Sequence, residues 1–213
     1  MEVMVKKKLI IIGAGGFSKS IIGSINFDEV DMVGFIDTYK KGFHQGYPIL
    51  SNSINNIDKK NDYFYFIGIG EPKIRWGFYR VLLESKLEMI NVIDSSAIIS
   101  KCTTLGKGIY IGKMCIVNSD TKISDAAVIN TRALIEHGNV IGCCSNISTN
   151  TVLNGDVQVG SRTFVGSCSV VNGQLTIGCD SIIGSGSVVI RNVPDNVVVA
   201  GSPTRFIREN NND

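Results

Sequence analysis

From Ile93 onward the chain repeats every six residues. Ile93, Ile99, Leu105, Ile111, Val117 and every sixth residue after them to Val189 form seventeen successive positions held by Ile, Leu or Val, without one insertion. Where those residues fill roughly a quarter of a chain, chance does not produce such a run. The residue after the aliphatic is commonly Gly or Asn, as at Gly112, Asn118, Asn154 and Gly160. The fourth residue after it is small, as at Cys115, Thr121, Ala133 and Ser145. A period of six does not follow the 3.6 of a helix, so amphipathic helices are excluded. A parallel β-helix of triangular section satisfies it. One aliphatic per side points inward, a small residue packs beside it, and a Gly or Asn relieves the corner. Three hexads close a coil, so residues eighteen apart stack about 4.8 Å apart, and the run predicts a prism about 25 Å long. A narrow aliphatic interior also explains why only 8% of the residues are aromatic.

Before Ile93 the repeat is absent. Leu9 to Gly13 reads as a strand, GAGGFS as a loop, and Lys19 to Ile25 as a short helix. Strands are expected at Met32 to Asp37, at Tyr63 to Ile69 and at Met89 to Asp94, with a helix from Pro72 to about Ser85. Alternating strands and helices predict a small parallel α/β sheet of Rossmann-like type. The domains expected are 1–92 for this sheet, 93–190 for the β-helix and 191–213 for a C-terminal segment ending in a frayed NNND tail. GAGGFSKS follows a strand and opens a helix, which suits either a phosphate site or simply a tight turn, since Ser18 stands where a third glycine would be. Asp37 ends the second strand, where such folds contact a ribose or base, or where a carboxylate caps the next turn. The prism leaves no room for a second half-sheet, so a nucleotide here would be a handle on a substrate rather than a redox cofactor.

Composition excludes several classes of function. Twenty-one Lys and Arg against nineteen Asp and Glu leave a formal charge of +2, which predicts neither nucleic acid nor an acidic membrane surface as partner. No apolar run reaches the length of about 18 residues that a membrane span needs. Leu9 to Ile12 is too short for the apolar part of a signal peptide, so a cytoplasmic protein is expected. Six cysteines without a CxxC spacing read as free thiols, and Cys143–Cys144 implies no site. Two histidines, His44 and His137, cannot supply three histidine ligands to zinc, so no metal is expected.

The IG-x-x-x-x hexads resemble those of the hexapeptide-repeat acyltransferases, which implies a left-handed β-helix. Together with GAGGFS, GFID, IGIGEPKIR, INTRALIEHGNVIG and AGSPTRF, they make nearly the whole chain resemble the bacterial sugar acetyltransferases of NeuD/PglD type. That group includes sialic acid O-acetyltransferases and nucleotide-linked 4-amino-sugar N-acetyltransferases. The resemblance implies an acetyl-CoA-dependent N-acetyltransferase acting on a nucleotide-linked 4-amino-4,6-dideoxy sugar. Its setting would be the biosynthesis of a surface polysaccharide such as O-antigen, and its assembly a homotrimer.

A lone histidine is ordinarily structural or solvated, but VINTRALIEHGNVIG matches the family's signature and implies that His137 is the general base. Gly155, eighteen residues on, stacks on it and is the candidate oxyanion donor through its backbone N–H. Relatives commonly place an acid directly after the histidine, whereas this chain has Gly138. Glu136 either orients His137 or replaces Asn in the ladder Asn118, Glu136, Asn154, Asn172. For the sugar nucleotide the matching positions are Gly13, Gly15, Gly16, Asp37, Gly70 and Lys73, with Phe17 where some relatives have a histidine. For acetyl-CoA they are Asn146, Gly155, Ser167, Ser185 and Gly201, with Asn146 replacing a histidine of many relatives. Two other readings remain at this point: sugar O-acetylation, and a β-helix binding protein that has lost catalysis, motivated by Gly138 and Asn146.

Overall fold

The computed structural model describes residues 5–210. Of the expected NNND tail Asn210 is not frayed but buried, donating to the carbonyls of Asn196 and Asp180; residues 211–213 and the first four lie outside the described residues. The N-terminal sheet is built from β1 (Lys7–Ile12), β2 (Val30–Ile36), β3 (Phe43–His44), β4 (Tyr47–Ser51) and β5 (Phe64–Ile67), in the order β3-β4-β2-β1-β5. β1 runs parallel to both β2 and β5, and Leu9 to Ile12 are buried on both sides, as a central parallel strand requires. Helix α1 (Gly16–Ile22) starts three residues earlier than expected, directly on the glycine loop, and α2 (Pro72–Glu84) has Pro72 in its first turn and the Glu71 carboxylate accepting from the Ile74 N–H. Met89 forms only an isolated bridge to Tyr65, and the strand that enters the prism is just Val92–Ile93. Among the described residues no helix is long and apolar enough to cross a membrane.

From Val92 the chain forms two-residue strands in the expected six-residue register, wound as a left-handed parallel β-helix. Each strand pairs with the one eighteen residues on, as Ile116–Val117 does with Leu134–Ile135. The inward aliphatics Ile111, Ile129, Ile135, Ile141, Ile147, Leu153, Val165, Val171, Ile177, Ile183 and Val189 are all fully buried, and the Ser, Thr, Ala and Cys side chains of the small positions lie buried between them. The corner is not turned as the repeat suggested. The left-handed residue lies three past the aliphatic, at Met114, Asp120, Ala126, Arg132, Gly138, Cys144, Asn150 and Asp156, with φ of 53° to 70°. The glycines after the aliphatic serve another purpose. A Cβ on Gly142 or Gly160 would lie 2.5 Å from a backbone nitrogen of the coil above, so these corners admit no side chain.

The prism has three faces. The first, from Val92–Ile93 to Val197–Ala200, carries the N-terminal domain, and its outward Tyr110 and Val128 are buried against β1, β2 and α1. The second runs from Ile98–Ile99 to Val188–Val189, and its outward row is wholly aliphatic: Ile98, Ile116, Leu134, Val152, Val170 and Val188. The third presents Thr104, Lys122, Val140, Gln158 and Thr176. Coil pairing runs past residue 190: Val193 bridges to Ile177, Val197–Ala200 pairs with Ile182–Ile183, and Arg205–Glu209 folds back antiparallel on it.

Candidate functional site

At the carboxyl ends of β1, β2 and β5 the loops Gly13–Phe17, Ile36–Tyr39 and Gly68–Glu71 enclose a cleft of about 400 Å³. This is where an open parallel sheet places a ligand. Gly13, Gly15, Gly16, Asp37 and Gly70 all line it, and Cβ atoms on Gly15, Gly16 or Gly70 would meet nothing within 4 Å, so these positions leave open space. Phe17 also lines the cleft. Asp37 binds the loops together. Its carboxylate accepts from the backbone N–H groups of Ala14 (2.8 Å), Tyr39 (3.0 Å) and Lys40 (2.9 Å). Burial alone would raise its pKa, but those three donors outweigh burial and hold it below the ordinary carboxylate value. Lys40 reaches back across the loop to donate to the Ala14 carbonyl at 2.5 Å. His44, on a hairpin the sequence reading did not include, meets the Ser18 hydroxyl at 3.0 Å.

Lys73 does not line that cleft. Its ammonium is buried without a partner among the described residues, in a second cleft of about 310 Å³ formed with Arg162, Phe164, Ile182 and Asn210. The two clefts share Gly70 and Glu71. Between the domains lies Arg75, 1% exposed on α2. Its guanidinium donates to the carbonyls of Ile69 (2.8 Å), Gly70 (3.0 Å), Ala126 (2.8 Å) and Cys144 (2.7 Å), and to Asn146 Oδ1. Burial pulls its pKa down to about 10. Asn146 in turn donates through Nδ2 to Gly70 at 2.9 Å. Both ends of the Asn146 side chain are therefore committed to the domain interface.

His137 sits at the corner between the second and third faces, with its side chain 63% exposed. The imidazole covers Gly155 so closely that a Cβ there would lie 2.5 Å from Cε1. The Glu136 carboxylate accepts from Asn118 Nδ2 at 2.9 Å, within the corner ladder. The acid nearest the ring is Asp156, whose Oδ1 is 3.9 Å from Nδ1. Asp156 was not singled out from the sequence, although the stacking rule that picks Gly155 for His137 picks Asp156 for Gly138. Ser167 and Ser185 lie at the corner between the first and second faces, and Gly201 follows the last strand of the first face. The whole apolar second face thus separates them from His137 within one protomer. Among the described residues no three His, Cys, Asp or Glu side chains gather to hold a metal ion.

Residues 8–82 match the model of the PglD N-terminal domain. Over 96% of this chain and 99% of its own, the chain is similar to a histidine variant of perosamine N-acetyltransferase from Caulobacter crescentus, solved in complex with CoA and GDP-perosamine, at a TM-score of 0.91 and 28% identity. It also shares the fold of the acetyltransferase domain of PglB from Neisseria gonorrhoeae, at 22% identity and a TM-score of 0.90 over 95% of this chain and 100% of that one. An uncharacterized protein, L142, of Acanthamoeba polyphaga mimivirus is 30% identical over 120 residues, 56% of this chain. The chain spans about a quarter of the length of that curated relative.

Proposed function

We propose that this chain, whose residues 8–82 match the PglD N-terminal domain and which is similar over 96% of its length to perosamine N-acetyltransferase, is a PglD-like hexapeptide-repeat sugar acetyltransferase that transfers the acetyl group of acetyl-CoA to the amino group of a nucleotide-linked 4-amino-4,6-dideoxy sugar. The observation that carries this reading is the combination, over 96% of the chain, of a cleft at the sheet's switch point with an exposed prism histidine stacked on a glycine.

In this reading the nucleotide occupies the cleft around Gly13, Gly15, Gly16, Asp37 and Gly70, where the missing Cβ atoms let a ligand approach the backbone. The second cleft continues from it at Gly70 and Glu71, and the unpaired ammonium of Lys73 suits an anionic group there. The imidazole of His137 takes the proton of the attacking amine as nitrogen bonds to the thioester carbon. Negative charge gathers on the carbonyl oxygen, and the N–H of Gly155, directly against the ring, is the donor at hand for it. When the C–S bond breaks, the imidazolium returns the proton to the CoA thiolate. The products are an amide and free CoA.

The acetyl-CoA residues Ser167, Ser185 and Gly201 come to a histidine only across a boundary between copies, since the second face lies between them in one chain. The aliphatic row of that face, with Ile98 65% and Ile116 37% exposed, is the surface on which copies would pack, in keeping with a homotrimer. The test is CoA thiol release with UDP-, dTDP- and GDP-linked 4-amino sugars, set beside hydroxyl acceptors. Turnover with an amino sugar is expected. Turnover only with a hydroxyl acceptor would make the enzyme an O-acetyltransferase, and binding without turnover would make it a binding protein.

A further inference from the structure

We infer that Asp156, one coil above His137, is the positioning residue for this histidine and takes the place left empty by Gly138; the inference rests on the reading of His137 as general base. Three observations converge. Gly138 and Asp156 are eighteen residues apart and hold the same left-handed corner slot of successive coils, with φ of 70° and 62°. A Cβ built on Gly138 would lie 2.0 Å from Oδ1 of Asp156, so the carboxylate fills the volume that a side chain at 138 would use. The same oxygen is 3.9 Å from His137 Nδ1, while the Asp156 backbone N–H donates to the His137 carbonyl at 2.9 Å. One residue therefore bonds the histidine's backbone and brings its carboxylate to the edge of the ring.

Both side chains are more than half exposed, so small rotations close 3.9 Å to hydrogen-bond length when substrate shields the corner. Nδ1–H then donates to the carboxylate, and Nε2 keeps its lone pair for the amine proton. The other acid nearby, Glu136, is held by Asn118. Gly138 is then no defect in the machinery: a side chain there would push the Asp156 carboxylate from the place it holds beside the ring.

The experiment is a transplant. Aspartate already occupies this left-handed slot at Asp120, Asp156 and Asp180, so the corner accepts it. Asp156→Gly is expected to lower kcat about 10- to 100-fold while KM for both substrates changes little. Gly138→Asp alone also lowers kcat, because two carboxylates then compete for one volume. The double variant Gly138→Asp/Asp156→Gly recovers most of the wild-type kcat. Wild-type turnover in Asp156→Gly, or a double variant no better than Asp156→Gly, would overturn the inference. A second readout needs no substrate. The chain has two histidines, so 15N spectra of histidine-labelled protein, with His137→Ala as the assignment control, report the tautomer of each ring. The Nδ1–H form is expected at His137 and is diminished in Asp156→Gly; an unchanged tautomer contradicts the pairing. Full turnover by His137→Ala would instead remove the general-base reading, and the tautomer would still decide whether Asp156 orients the ring.

Discussion

A methyl group at position 155 would press on the imidazole of His137 at 2.5 Å, and the backbone of a paired coil cannot retreat to make room. Gly155→Ala is therefore expected to turn the ring away and lower kcat toward the value of His137→Ala, itself at least ~100-fold below wild type, with each Tm near the wild-type value. Steady-state kinetics beside thermal melting check this. In the cleft at the carboxyl ends of the sheet strands, Asp37 has a folded-state pKa depressed by backbone donors that outweigh its burial. Its contribution to loop order is present above the ordinary carboxylate range and is lost as pH falls through the depressed value. Nucleotide binding followed by calorimetry should weaken in the wild type only below the ordinary carboxylate range, as pH falls through the depressed value, and Asp37→Asn should bind weakly with no such step. At this scale the sequence names the glycines and the histidine, since spacing and motif carry them. The eighteen-residue spacing offers Glu136 as a ladder residue without deciding between that place and orienting His137, and it leaves Asp156 unremarked as the neighbouring acid, because both facts depend on contacts with the coil above or below.

The six-residue run is readable because every inward position must be aliphatic to close a dry core, and its register holds from Ile93 to Val189. The reason for the corner glycines was not readable. Their constraint is the close approach of the next coil, whereas the left-handed slot tolerates Met114, Arg132 and Cys144 and so leaves no pattern. The hairpin Phe43–His44/Tyr47–Ser51 escaped because Pro48 breaks a strand signal, yet Pro48 lies opposite Phe43 in a two-residue pairing where little is lost. Helix α2 holds the domains together through Arg75, inside the IGIGEPKIR motif. Its bonds to the Ala126 and Cys144 carbonyls and to Asn146 are buried, so Arg75→Met strands those acceptors. A loss of about 3 kcal/mol or more is expected, read as a lower denaturation midpoint.

Across the whole molecule, the joined clefts and the Ser167–Ser185 corner lie on one side of the apolar second face and the histidine corner on the other. Copies packed through the second face would bring the histidine corner of one beside the Ser167–Ser185 corner of the next. Ile98→Glu/Ile116→Glu changes only exposed side chains of that face and should leave the circular dichroism spectrum intact. Light scattering should then show smaller particles, with acetyl transfer lost in parallel. Full activity from single protomers would contradict a shared site. The account as a whole is tested most directly by mass spectrometry of the sugar product after incubation with acetyl-CoA and a nucleotide-linked 4-amino sugar. It predicts one added acetyl group that resists hydroxylamine, as an amide does. An acetyl group released by hydroxylamine, or an unmodified sugar across the panel of nucleotides, would contradict it.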